Sequence, residues 1–384
     1  MHKKTNNKIE QDKALFTEEF FRDDDIRAVD AKTRAQEIAF APMTFQAIRS
    51  MLELGLLQMI EDAGDGGISG KELAEKSGVS LYGVNLLCEM ALGMKVIRLS
   101  DDSSFESDER YVLGKTGWML LEDDLTKANF WFTNDICYQG AWDLLASIKS
   151  GKPEGLKVFG DKWTTIYEAL SSLPERAKKS WFDFDHFYSD IAFPDALPIV
   201  FAKKPRHLVD IGGNTAKWAI SCCKYDLEVH ITIMDLPGQT AVAEKNAAAA
   251  GFADRISTRA GNILDESDLL PQDADAVWMS QFLDCFSLHQ ITKIAKKIYS
   301  CIDEKCSVYV LEPLWDKQKF MASSYSLQAT SLYFTCMANG NSKMYRYAEL
   351  VQAIEESGLK LKVAHHNLGS NNYTLLEFTK QENK

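Results

Sequence analysis

Apolar residues recur at three- and four-residue steps across residues 40–60, where Phe45, Ile48, Leu52, Leu56 and Met59 share a face, and this predicts a helix. A stretch at 68–74 and a break at Ser77-Gly78-Val79-Ser80 follow. Next comes an apolar helix carrying Val84, Leu87, Met90 and Leu92 and ending at Gly93. Short apolar runs at 96–99 and 111–113 flank a polar tip at 101–110 and read as a hairpin. Helix, turn, helix and hairpin in that order describe a winged helix. From residue 207 onward the pattern alternates. Strands are predicted at 207–211, 229–234, 256–259, 276–280 and 307–311, with helices between them, such as 240–250 and 288–302. This is the signature of a doubly wound α/β parallel sheet. Residues 359–364 and 373–378, joined by a short connection, predict an antiparallel pair that closes it.

A chain of 384 residues is too long for one ordinary core. The expected division is a winged-helix domain over 13–124, a helical bridge over 125–200 and an α/β domain over 201–384. The bridge is aromatic, with Trp131, Trp142, Trp163 and Trp181, and suits the lining of a pocket. A net charge of −12 argues against nucleic acid or an anionic membrane as a partner. The helix over 81–92 has no Lys or Arg and includes Glu89, so it would repel phosphates. Its apolar surface suits a second subunit, and the expected assembly is a homodimer through the N-terminal domain. The eight cysteines show no CxxC pairing, so neither a metal site nor a disulfide framework is expected. With a polar start and no apolar run near the ~20 residues of a membrane span, the expected compartment is the cytoplasm.

The chemistry concentrates in Leu208-Val209-Asp210-Ile211-Gly212-Gly213-Asn214 and Met234-Asp235-Leu236-Pro237. A strand running into two glycines can turn sharply and bring its backbone close to a bulky ligand. A carboxylate at the end of the next strand, 22 positions after Gly213, can accept from two neighbouring ribose hydroxyls. A dinucleotide site needs G-x-G-x-x-G to cradle a pyrophosphate, and Gly212-Gly213-Asn214-Thr215-Ala216 lacks that spacing. A nucleoside without phosphates is therefore expected, which points to S-adenosylmethionine rather than a nicotinamide cofactor.

From about Phe40 to its end the chain resembles the O-methyltransferases of small aromatic molecules, which pair a winged-helix dimerisation domain with a Rossmann-like catalytic domain. The matching landmarks are Val209-Asp210-Ile211-Gly212-Gly213, Asp235-Leu236-Pro237, Gly261-Asn262-Ile263, Asp275-Ala276, Phe286-Ser287 and Glu312. Phe159-Gly160, Trp163, Pro174-Glu175 and Phe182 follow the family's bridge region. The resemblance implies that Gly212 and Gly213 approach the amino-acid end of the cofactor. It implies that Asp235 holds the ribose, Leu236 flanks the adenine, and Asn262 and Ile263 contact it. Ser280 and Gln281 complete the implied cofactor set. The family usually has Asp where Asn262 stands, and often Lys where Ser280 stands. Asn214 and Ala216 replace glycines of the family's loop, so a stiffer or shifted turn is expected.

Members that deprotonate a phenol generally use a His flanked by two Glu. Here Asp284 stands at the His position, Glu312 at one Glu position and Met344 at the other. Moving a phenolic proton from pKa ~10 to an ordinary Asp at ~3.9 is uphill by roughly 8 kcal/mol, against roughly 5 for a His at ~6.5. A buried Asp beside Glu312 would recover much of that difference by a raised pKa. His186 is a second candidate base, with Asp183 or Asp185 near enough in sequence to orient it; the alternative is a His packed among aromatics. Tyr333, Phe334 and Met337 fall on a helix expected to roof the pocket, and His289 is expected to be solvated. The expected activity is S-adenosylmethionine-dependent methylation of a phenolic or aromatic small molecule at oxygen. Ring carbon methylation, a catalytically impaired cofactor-binding scaffold or regulator, and a DNA-binding regulator are the competing readings.

Overall fold

The structure, a computed structural model, describes residues 21–22, 24–106 and 109–380, and of residues 171 and 186–189 the backbone only. The chain divides into two compact units, Asp23–Trp131 and the rest. The segment 125–200 therefore falls mainly within the second unit.

In the first unit, the helices Gly70–Ser77 and Leu81–Gly93 are joined by a tight break and followed by a hairpin. Three strands, β1 (Ile68–Ser69), β2 (Ile97–Leu99) and β3 (Arg110–Leu113), form an antiparallel sheet in the order β1-β3-β2. The apolar pattern does not predict the strand at Ile68–Ser69. Two residues are too few to show alternation, and only the pairing of Ile68 with Tyr111 creates it. Ser69 then caps the helix Gly70–Ser77: its hydroxyl accepts from the Glu72 amide, and the Glu72 carboxylate accepts from the Ser69 amide. The single helix expected over 40–60 is a correction. The chain forms Ala28–Glu53 and Leu56–Asp62, because Gly55 takes φ +70 between them. The apolar periodicity runs on across the break, since Met51, Leu56, Leu57 and Ile60 all enter one core with Leu73, Val84 and Cys88.

The second unit is built on a seven-stranded sheet of β4 (His207–Ile211), β5 (His230–Asp235), β6 (Ile256–Ala260), β7 (Ala276–Ser280), β8 (Ser307–Glu312), β9 (Leu359–Leu368) and β10 (Tyr373–Lys380). Its order is β6-β5-β4-β7-β8-β10-β9. The first five strands are parallel, β10 runs antiparallel to β8, and β9 antiparallel to β10. Alternate residues feed two cores. Val209, Ile211, Val277, Met279, Val308 and Val310 pack on one face, and Leu208, Ala276, Trp278, Tyr309 and Leu311 on the other. The chain leaves β4 toward β5 and β6 on one side, then returns to lay β7 on the other. That reversal opens a crevice beyond the carboxyl ends of β4 and β7, where doubly wound sheets bind ligands.

Candidate active site

Two adjoining hollows occupy this crevice. The larger has a volume of about 600 Å³, within the range of small-molecule sites, and the smaller about 80 Å³. The turn after β4 shapes both. Gly212 takes φ +75, and a Cβ there would lie 2.3 Å from the Phe282 ring, so only glycine fits. Asn214 and Ala216 also adopt left-handed backbones, at φ +46 and +67. The turn therefore keeps a glycine-like shape without the glycines, at a cost of roughly 1–2 kcal/mol for each such residue. The smaller hollow rests against stacked Trp218 and Trp278, whose centroids are 3.8 Å apart. Around it, Asp210 Oδ2, Asn214 Oδ1, Ser280 Oγ and the two indole Nε1 groups are buried and have no hydrogen-bond partner among the described residues. Such orphaned groups fit a ligand end that brings both donors and acceptors, as a zwitterionic amino acid does. Burial, with the charge of Asp235 nearby, pushes the Asp210 carboxyl up to about 8.

At the end of β5, Asp235 is clamped by backbone: Oδ2 accepts from the Asn214 amide at 2.9 Å and Oδ1 from the Leu236 amide at 2.7 Å. Burial raises its pKa above the usual carboxylate value, and these two bonds oppose that. Each oxygen keeps a second lone pair, which suits a pair of vicinal hydroxyls. Leu236, Asn262, Ile263 and Gln281 line the same cavity as Asp235 and Gly212. Gly213 and Ser280 face only the smaller hollow, which Gln281 also lines. The residues present thus fit an adenosyl group with an amino-acid tail.

Asp284 lies on a short turn after β7 (Leu283–Cys285), is buried, and lines the large cavity. Glu312, at the end of β8, is also buried but stands behind that wall. Its Oε1 accepts from the amides of Phe282 and Leu283, at 3.1 and 2.9 Å, and so positions the turn that carries Asp284. Burial pushes Asp284 up to about 6, against the bonds donated to it by Cys285. Burial and the charge of Asp284 hold Glu312 well above the carboxylate range. The two carboxyls are coupled, and charge on one opposes ionisation of the other. The Tyr167 hydroxyl donates to Cys285 Sγ at 3.1 Å, and that thiol donates to Asp284 Oδ1 at 3.5 Å. The Trp181 indole donates to the Tyr333 hydroxyl at 2.9 Å.

Among the other residues singled out by the chain pattern, His186 lies on the helix Glu175–Ser189, and its side chain is outside the described residues. Asp183 is exposed and paired with Lys179, whereas Asp185 lines the cavity. Tyr333, Phe334 and Met344 line it too. Met337 does not, which corrects its expected place in the roof: it is buried where a Cβ on Gly140 would meet its sulfur at 2.2 Å. The difference arises because Met337 sits on a π-helical turn (Phe334–Ala338), where the 3.6-residue period no longer predicts direction. His289 is exposed. The linear pattern misses Tyr167 and Asp185 as wall residues. Tyr167 meets Cys285 across 118 positions, a separation that leaves no local trace, and Asp185 stands out in the sequence only as a partner for its neighbour.

A model of the O-methyltransferase domain matches residues 142–358, more than half of the chain, and one of the Dimerisation2-like domain matches residues 32–105. The L-tyrosine C(3)-methyltransferase of Streptomyces lavendulae is 22% identical over 326 residues, 84% of this chain and 85% of that protein. The apo structure of the S-adenosylmethionine-dependent methyltransferase SibL superposes with a TM-score of 0.68 at 20% identity, covering 90% of this chain and 98% of the other. NcsB1, solved with S-adenosylmethionine and 2-hydroxy-5-methyl naphthoic acid, gives a TM-score of 0.59 at 18% identity, covering 89% and 96%. With its cofactor crevice and this match, the chain belongs to the O-methyltransferase domain family and is an S-adenosylmethionine-dependent methyltransferase.

Proposed function

We propose that the enzyme methylates the hydroxyl oxygen of a phenolic or related aromatic small molecule, with Asp284 taking the phenolic proton. The observation that carries this reading is an ionisable carboxylate, raised to about 6, in the wall of an aromatic cavity that also reaches Asp235. When bound, S-adenosylmethionine supplies an electrophilic methyl group on a sulfonium. Gly212, Gly213, Asp235, Leu236, Asn262, Ile263, Ser280 and Gln281 are the proposed cofactor residues. At a pKa near 6, Asp284 faces an uphill transfer from a phenol of roughly 5 kcal/mol, about that of an ordinary His. Glu312 holds the turn that carries Asp284, and burial beside that carboxylate disfavours its own ionisation. The hydroxyl proton passes to Asp284 as the oxygen becomes nucleophilic toward the methyl group that the bound donor would supply. Alignment supplies most of the remaining acceleration.

Ring carbon methylation is the second reading. A carboxylate in place of His can hold a hydroxyl while the ring attacks, and the Streptomyces lavendulae relative is named for C(3) methylation. Incubation with methyl-¹³C-labelled donor and a phenol panel separates the two, since the transferred carbon appears as a methoxy or an aryl methyl signal. Cofactor binding without turnover of any phenol would instead support an impaired scaffold or regulator. Asp235→Ala should weaken S-adenosylhomocysteine binding by tenfold or more, about 1.4 kcal/mol; unchanged affinity in calorimetry would overturn the cofactor assignment.

The homodimer is proposed on the apolar face of Leu81–Gly93, where Tyr82, Leu86 and Met90 are exposed at four-residue spacing. Light scattering of a Tyr82→Glu, Leu86→Glu variant tests it. Among the described residues no helix is long and apolar enough to cross a membrane. The eight free thiols support a reducing cytoplasm.

A further inference from the structure

We infer that the substrate of this site is an aromatic molecule bearing a protonated amine, which Asp185 receives inside a cage of aromatic rings. The inference rests on the methyltransferase reading above and names the substrate class. The cavity wall holds Glu168, Asp185, Asp235 and Asp284, while among the described side chains no Lys, Arg or His lines it. A negatively charged substrate would enter against these carboxyls and meet no cationic side chain among the described residues. The nearby Lys217 faces the smaller hollow and is already paired with Asp190 at 2.5 Å.

Asp185 is left over by the proposed chemistry. Asp284 takes the hydroxyl proton and Asp235 suits the ribose; Asp185 lines the smaller hollow as well as the large cavity, but the smaller hollow has its own buried carboxyl in Asp210 for the cofactor's ammonium. The pKa of Asp185 is raised to about 7 by burial and by Asp284, with Lys217 opposing. Trp181, Phe184 and Asp185 lie three and four positions apart on one helix and so share a face toward the cavity. Tyr333 and Phe334 complete the rings, and the indole of Trp181 is fixed by its bond to Tyr333. Ring faces attract cations and a carboxylate pairs with them, so an ammonium satisfies both at once. The cofactor's sulfonium is a single charge, and Asp284 is already placed to face the reacting centre.

Three phenols of matched size test the proposal by calorimetry on the protein loaded with S-adenosylhomocysteine: tyramine, 4-propylphenol and 3-(4-hydroxyphenyl)propanoate. Tyramine should bind at least about tenfold tighter than the propanoate and several-fold tighter than 4-propylphenol. In Asp185→Asn the ratio of tyramine to 4-propylphenol affinity should fall toward one. Equal or reversed affinities with all three bound would overturn the amine preference while leaving the methyltransferase reading in place. Failure of all three to bind would overturn both the amine inference and the phenol reading. If Asp185→Asn instead weakens S-adenosylhomocysteine and keeps the ratio, Asp185 serves the cofactor's ammonium and the inference fails.

Discussion

Asp284 illustrates how the same residue type changes role with its surroundings. In water an Asp is too acidic to draw a proton from a phenol efficiently. Here burial lifts it to about 6, and its charge in turn raises the neighbouring Glu312. The expected consequence is a kcat/KM that rises with pH through about 6 and then levels, because only ionised Asp284 accepts a proton. Asp284→Asn should lower kcat by roughly 10²–10⁴-fold and abolish that rise. A variant that keeps the same pH profile would show that another group is the base. The identity of the residue was legible in the chain, as was its alignment with a His position. Its working pKa was not, because the groups that bury it come from β8, from the helix after residue 165 and from the segment around Tyr333.

Elements of secondary structure followed the pattern most closely where their signal was clearest. All five parallel strands lie within a residue of their expected positions, the central ones being apolar runs covered on both faces. The helix Leu288–Cys301 is another such case. Ser287 and Gln290 form a reciprocal cap at its start, and Ile291, Ile294, Ala295 and Ile298 enter the core beside β7 and β8. Ser287→Ala should cost about 1 kcal/mol and lower the melting temperature by a few degrees. Because Phe286 and Asp284 lie just before this cap, the test also asks whether the turn carrying Asp284 loosens, which would appear as reduced kcat at intact cofactor affinity. Where elements departed from expectation, the cause was equally local. Gly55 breaks a long apolar periodicity, and a π-helical turn rotates Met337 away from the cavity.

Across the whole molecule, buried carboxyls set an unusual pH dependence of stability. Asp210, at about 8, and Asp185, at about 7, bind their protons more tightly folded than unfolded. Their contribution is therefore complete below about pH 4 and is lost as pH rises through 7 and 8. Glu349 behaves oppositely. Against the burial that would raise it, Arg346 and Lys343 hold it down at about 2, so its contribution is present above about 4.5 and lost as pH falls toward 2. The melting temperature should thus fall between about pH 6 and 8.5, and Asp210→Asn should flatten that decline. A curve that climbs with pH over this range would contradict the assignment of buried, protonated carboxyls.

The amino-acid order alone determined the doubly wound sheet, the glycine turn and the acid one strand over. Each of these depends on the spacing of neighbours along the chain, which periodicity and backbone preference report directly. Only the tertiary structure decided that Asp185 faces the cavity, that Tyr167 reaches Cys285, and that burial raises the Asp284 carboxyl. Those properties depend on which distant segments exclude water from a carboxylate, and such burial has no counterpart in local spacing.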